Sequence, residues 1–572
     1  MAESVIENQE PAASGPSAAP SVAGCSRGQF WIAVLLVFAA FAAYGIIRTP
    51  IPGANEPNYL SKAKNFWDPT WCSRDLYLQS GNSHWVFYAT WGALTKVLTL
   101  EQTAWLGRIV VWFLLAIGWV RMTVPLAGGR AGSVVAACLF LAWSAFTHTN
   151  FAGEWVIGGV EGKGFAYAFL WMGIGALFQD RRREAAIWTG LAISYHPVVG
   201  MWGLLCAIAA VATISWGDFW LRTSKKNITV VSPARELPNW PRGILAWLVP
   251  GTCLVLASLP GFIPALAVLT ENPGPDLARQ ADELQIFVRL RHHLDPTTFS
   301  AYAYQTSTVL LTLWLLLLGR TAHTWPQRWF ARYVTASIVI AVGGVLLAWG
   351  HLAAREYGIA WFLPFGRFLK FYFFRTADLL IPIAVALQLA TLLEQWRQRT
   401  VAAGGSLPAV RRFAPTGICA IAITFALLKP YPPPPPGTPL IVTPQFLSDW
   451  TAACQWINKN TPRDALFLIP RYNRNFKWYA ERAEYFSYKD MPQDAVRLLE
   501  WNRRRLLLDD WGSHHFLGDR STREELRNLA AVAGPDHPDY AIFYSWLKVV
   551  DQPPLYRNGS FAIYALEPPP PK

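Results

Sequence analysis

The sequence predicts a mainly α, polytopic transmembrane helical bundle of about eleven spans with a small C-terminal α/β extracytoplasmic domain. Three observations predict it. Charged residues make up 15% of the 572 and hydrophobic residues 53%, whereas a soluble domain carries roughly 25% charge. The apolar residues gather in runs between positions 30 and 430, each near the roughly 20 residues that one bilayer crossing takes. Beyond a proline run at Pro432–Pro436, mixed charge and amphipathic spacing return.

Residues 1–28 are rich in Ala, Ser, Pro and Gly and read as a disordered tail. The transmembrane part covers 29–430. Its apolar runs are 29–47, 104–122, 132–149, 164–179, 185–196, 198–214, 243–267, 300–319, 331–350, 376–394 and 413–430. The stretch 185–214 is too long for one span and is broken at His196-Pro197. Reading it as two short helices keeps Arg222, Lys225 and Lys226 on the same side as the other basic connectors. Those connectors are 121–131, 180–184, 215–242, 320–330 and 395–412. Their Lys and Arg place them, with the N-terminus, on the cytoplasmic side of the membrane. The segments 48–103, 150–163, 268–299 and 351–375 then lie outside with the C-terminal part. The net charge of +13 reads as topology, and no nucleic-acid partner is expected.

Residues 431–445 read as a stiff linker. The soluble domain, 446–566, shows helical spacing at 445–458 and 494–507 and strand-like runs at 465–469 and 540–544. A tail, 567–572, ends the chain. The seven Cys lack metal-ligand spacing. Cys72 and Cys454 share the predicted outer side, which leaves a pairing between them open.

Four outer segments hold the candidate site. Glu56 directly follows the first span, either as a solvated carboxylate at a helix end or as a general base. The stretch 150–167 holds Glu154, Glu161 and Lys163 beside glycines at 158, 159, 162 and 164. It suits a sugar or a divalent ion (Mg or Mn), or is a solvated turn. His196 interrupts a helix at membrane depth, as a functional group or as partner of a carbonyl freed by Pro197. Arg367, Lys370 and Arg375 stand on the outer side against the charge bias, and a bound phosphate explains them. For Arg375 the plainer alternative is an intrahelical pair with Asp378. His292 and His293 near Asp282 and Glu283 read as a solvated amphipathic helix.

One stretch carries a family resemblance. Asn55-Glu56-Pro57, then Tyr59-Leu60-Ser61-Lys62-Ala63, the aromatic stretch 66–71, the apolar helix from His84 to Leu94, and Trp105-Leu106-Gly107-Arg108 resemble the GT-C superfamily. Those membrane glycosyltransferases use polyprenyl-phosphate sugars. The family pattern begins Asp-Glu, and here Asn55 replaces the Asp. The region 454–504, with Trp456-Ile457 and Asn460-Thr461-Pro462, resembles bacterial GT-C-like proteins whose soluble segment is a domain of unknown function. The resemblance implies an inverting hexosyltransferase in the lipid bilayer. A polyprenyl-phosphate sugar would be the donor, and a glycan, lipid or protein the acceptor. Glu56 would be the catalytic base. Asn55, His84, Glu154, Glu161, Lys163, His196, Arg367, Lys370, Arg375 and Asp378 would bind substrate. A transporter or flippase, or a catalytically inactive glycan-binding scaffold, are the alternatives; no internal repeat supports the first.

Overall fold

A computed structural model describes residues 27–53, 55–145, 151–224, 245–271, 273–402, 409–429, 443–470, 475–515, 520–534, 536–549 and 551–566. The tail to residue 26, the linker over 431–442 and the end from 567 lie outside the described residues. The chain is mainly helical. The helices are α1 (Arg27–Arg48), α2 (Glu56–Trp67), α3 (Trp85–Leu94), α4 (Leu100–Thr123), α5 (Arg130–Ser144), α6 (Gly162–Phe178), α7 (Arg182–Tyr195) and α8 (Pro197–Ser224). They continue as α9 (Leu245–Leu269), α10 (Pro275–Glu283), α11 (Arg291–Leu294), α12 (Ala301–Thr321), α13 (Trp325–Glu356), α14 (Arg375–Ala402) and α15 (Ala409–Leu428). A π-helix (Leu284–Arg289) follows α10, and a 3₁₀-helix (Leu363–Phe371) precedes α14.

Among the described residues every apolar run predicted to be a span falls on a helix, and His196 separates α7 from α8. Among the described residues six helices are long and apolar enough to cross a membrane: α1, α4, α9, α12, α13 and α14. This is a membrane-embedded protein. The centre of the bundle is α6, buried from Gly162 to Ala176 and packed against α4 and α7. A helix apolar all round belongs in such a place. Small residues allow the approach, since a Cβ on Gly118 of α4 would lie 2.7 Å from the Ala168 carbonyl.

The C-terminal part holds α16 (Pro444–Asn460), β1 (Leu466–Leu468), α17 (Phe476–Ala480), β2 (Ala483–Glu484), α18 (Ala495–His515), β3 (Arg520–Ser521), α19 (Arg523–Ala533), β4 (Tyr540–Tyr544), β5 (Lys548–Val549), β6 (Tyr556–Arg557) and β7 (Phe561–Ala565). One sheet runs β2-β1-β4-β7-β6, with β1 parallel to β2 and β4, and β7 antiparallel to β4 and β6. Its inner residues Phe467, Ile542 and Ile563 pack on Trp450, Ala453 and Ile457 of α16. Cys454 is buried there, unbridged to the buried Cys72.

The C-terminal part rests on the segment between α1 and α4. Lys64 pairs with Glu481 at 3.0 Å, and Arg74 with Asp539 at 2.5 Å. At the centre, Lys477 Nζ meets three carboxylates: Glu484 at 2.6 Å, Asp490 at 2.7 Å and Asp75 at 3.0 Å. One ammonium cannot balance three buried carboxylates. Burial, offset by Lys477, pushes the Glu484 carboxyl up to about 8. The connectors 151–161, 270–300 and 357–374 meet the same end of the bundle, through bonds such as Arg289 Nε to the Tyr488 carbonyl at 2.7 Å.

Candidate functional site

Glu56 opens α2, with Pro57 in its first turn. The turn before it folds back so that Gly53 N–H donates to Glu56 Oε2 at 2.8 Å. Val160 N–H donates to Oε1 at 2.9 Å. Arg108, one helical face of α4, closes a fork on both oxygens, Nε to Oε1 and Nη2 to Oε2, each 2.6 Å. The carboxylate side chain is 0% exposed and the guanidinium 1%. Every oxygen of Glu56 is thus engaged, and no face remains for a substrate hydroxyl. The residue expected as catalytic base is here the buried anchor of the loop–helix junction. The neighbouring glycine follows from it, because a Cβ on Gly159 would stand 2.7 Å from Glu56 Cγ.

The loop before α6 places its charges differently. Lys163 Nζ lies between Glu154 Oε1 at 3.6 Å and Glu161 Oε2 at 3.9 Å, and 4.0 Å over the Trp155 ring. An ammonium therefore stands between the two carboxylates that the sequence offers to a sugar or a divalent ion. Among the described residues no group of three His, Cys, Asp or Glu is arranged to hold a metal. Glu161 also accepts from Asn55 Nδ2 at 3.0 Å. Burial raises its carboxyl, while Lys163 and Asn55 pull it back. The residue at 55 has a physical reason: an amide donates to Glu161, where an ionised Asp would repel it.

Arg375 joins this loop to the cavity. Its Nε is 3.0 Å from Glu154 Oε2, its Nη1 3.2 Å from His196 Nε2, and its Cζ 4.0 Å over the Tyr372 ring. The intrahelical pair with Asp378 does not form. Asp378 instead accepts backbone N–H groups from Ala152 at 2.7 Å, Phe151 at 2.8 Å and Glu154 at 3.3 Å. It holds the loop in place. Lys370 pairs with Asp282 of α10 at 2.9 Å, and α10 is the solvated amphipathic helix the sequence predicts, with Ala281 as its buried residue and Asp282 turned to the cavity. His293 caps the Ala152 carbonyl.

These side chains surround a cavity of about 340 Å³. Arg367, Lys370 and Arg375 line one part, and His84, His196 and Tyr59 another. The two imidazoles stack with centroids 4.7 Å apart. His84 Nε2 is 3.3 Å from the Tyr59 hydroxyl, and its Nδ1 has no hydrogen-bond partner among the described residues. Burial first, then the nearby Arg375 charge, brings His84 down to about 4, so it is neutral at pH 7. Burial and then the Glu161 charge push the Tyr59 hydroxyl up, keeping it a donor. Met491, Gln493 and Leu498 of the C-terminal part form the roof. Gln493 meets Ser83, and Asp494 accepts from Gly81 N–H at 3.1 Å.

Of the eleven residues singled out in sequence, five line this cavity: His84, His196, Arg367, Lys370 and Arg375. Glu154, Glu161, Lys163 and Asn55 form a buried network behind it, joined through Arg375. Glu56 and Asp378 face elsewhere. Sequence reasoning missed the role of Arg108, although an Arg inside an apolar helix is itself a signal. It also missed the roof residues, for which no local pattern exists.

Residues 448–508 match a family described as a domain of unknown function (DUF6798). Among curated proteins none matches the chain. The crystal structure of ArnT from Cupriavidus metallidurans bound to undecaprenyl phosphate aligns with 94% of this chain and 98% of that one. The identity is 12% and the TM-score 0.46.

Proposed function

We propose that the protein is an inverting membrane glycosyltransferase, moving a sugar from a polyprenyl-phosphate donor to an acceptor hydroxyl. The reading places the reaction on the extracytoplasmic face of a bacterial inner membrane. The observation that carries it is the cavity itself. Three cations and two imidazoles line one chamber, at the end of an apolar bundle and beneath a soluble roof. The GT-C resemblance of residues 55–108 points to the same chemistry.

The donor phosphate takes Arg375 and Arg367, whose planar forks match phosphate oxygens. Arg375 is aimed by Glu154 and Tyr372. The base is His84. The acceptor oxygen attacks the anomeric carbon, its proton passes to the imidazole, and the carbon–phosphate-oxygen bond breaks with its electron pair. Polyprenyl phosphate leaves on the side opposite attack, which inverts the centre. The single negative charge of the donor phosphodiester on Arg375 offsets one cause of the low basicity of His84. Donor binding thereby prepares the base. Ser83 and Gln493 offer hydrogen bonds suited to a glycan or other polyhydroxylated acceptor. A divalent ion between Glu154 and Glu161 would first displace Lys163, so no step is assigned to one.

The test is transfer in proteoliposomes from a labelled polyprenyl-phosphate hexose, with the product's anomeric configuration read by NMR. Arg375→Gln should lose donor binding, and His84→Ala should lose turnover while still binding donor. Wild-type protein that neither binds nor consumes any such donor, yet moves a solute or lipid across the bilayer, would replace this reading by a transporter.

A further inference from the structure

The connector between α13 and α14 contains nine residues of 3₁₀-helix, Leu363–Phe371. Three residues per turn put positions three apart on one line. The sequence therefore sorts into three separate faces. Leu363, Gly366 and Leu369 form the inner one, with Gly366 and Leu369 buried. A Cβ at 366 would stand 2.4 Å from His351 Nδ1, and His351 stacks on Phe287 at 5.0 Å. This face fastens the connector to α13 and the π-helix. Arg367 and Lys370 form the second face and line the cavity.

Phe362, Phe365, Phe368 and Phe371 form the third face. Their rings follow one another with centroids 5.6, 6.3 and 6.3 Å apart, and Trp361 joins the first at 5.6 Å. This ridge is open: Trp361 is 72% exposed, Phe365 44% and Phe368 38%. It continues an open apolar stripe on α13, Val339, Val342, Leu346 and Trp349, which recur at one-face helical spacing. Both α13 and α14 are apolar enough to span a membrane. A connector between their ends sits where the helices leave the hydrocarbon. Aromatic rings beside Arg and Lys are the composition of that layer.

We infer that the connector 357–371 lies in the bilayer interface, its aromatic ridge seated among phospholipid chains and its cationic face turned to the cavity mouth. The connector is then a sill between membrane and cavity, over which an amphipathic substrate passes without leaving lipid. The inference concerns the surface and stands whether or not the cavity transfers sugar.

The test is photo-crosslinking of the full chain in nanodiscs of phosphatidylethanolamine and phosphatidylglycerol. Phe365 and Phe368 are each replaced by benzoylphenylalanine, a change of similar shape. Leu346 on the α13 stripe and Val532 in the C-terminal part, 67% and 60% exposed, are the two references. Phospholipid adducts at 365 and 368 should match position 346 and exceed position 532 by about tenfold. Adduct levels equal to position 532 would place the ridge in water and overturn the inference. Crosslinks to a second copy or to the C-terminal part would overturn it as well, by showing that protein covers the ridge.

Discussion

Replacing Glu56 by Gln should loosen the cavity end of the protein before it touches any chemistry. The carboxylate accepts two bonds from Arg108 at 2.6 Å and one each from Gly53 and Val160 N–H. A glutamine offers one oxygen in place of two. At least one backbone N–H then loses its acceptor, and a guanidinium 1% exposed loses its countercharge. Breaking such a buried pair from one side costs about 3–5 kcal/mol. Unfolding entropy of roughly 2.1 cal/mol/K per residue converts ~4 kcal/mol into a midpoint lowered by about 3 °C, if all 572 residues melt together. The shift is larger if the membrane part melts alone. Thermal unfolding in nanodiscs, followed by the protein's own Trp fluorescence, reads it. Glu56→Gln combined with Arg108→Met removes the orphaned charge and should recover about 2 kcal/mol of the loss. A single variant with the wild-type midpoint and no turnover would refute this reasoning and return Glu56 to the role of base.

Three other perturbations follow from the same geometry. Lys163→Met leaves Glu154 and Glu161 facing one another without their ammonium, at a cost of about 3–5 kcal/mol. Millimolar Mg²⁺ or Mn²⁺ should raise the melting midpoint of this variant and not of the wild type; an equal response in both would contradict the bridging role of Lys163. Asn55→Asp sets a carboxylate beside Glu161, whose own carboxyl burial already raises. Its stability deficit, measured by the same melts, should shrink as pH is lowered and the raised Glu161 carboxyl takes a proton. In the cluster around Lys477, Glu484 titrates at about 8 when folded and near the usual ~4.3 when unfolded. Across that window the folded state holds a proton that the unfolded state has released, so stability falls as pH rises. The wild-type midpoint should drop between pH 6 and 9, and the drop should be smaller in Glu484→Gln; parallel curves would remove Glu484 as its source.

The helical runs were legible because lipid leaves a backbone little choice: a long apolar stretch satisfies its own hydrogen bonds as a helix. The break at His196-Pro197 was legible because proline removes a donor. The strand at 540–544 was legible from its apolar run and is observed at those residues. The site was legible only by its charges. Arg367, Lys370 and Arg375 stood out against the Lys/Arg bias, and they do line the cavity. Which carboxylate meets which cation was not legible. Glu56 meets Arg108 52 positions away, and Arg375 meets Glu154 across the bundle rather than Asp378 one turn along.

By itself, the sequence determined that this chain lives in a membrane, where its helices run, and which charged residues stand at one end of them. Those are properties of composition and local spacing. Only the tertiary structure decided that Glu56 is locked away, that Lys163 occupies the space between two carboxylates, and that His84 and His196 share one chamber with the cations. Only it brought Met491, Gln493 and Leu498 over that chamber as a roof. The reason is that a buried ionisable group is defined by its partners, and partners distant in sequence become neighbours only when the helices pack.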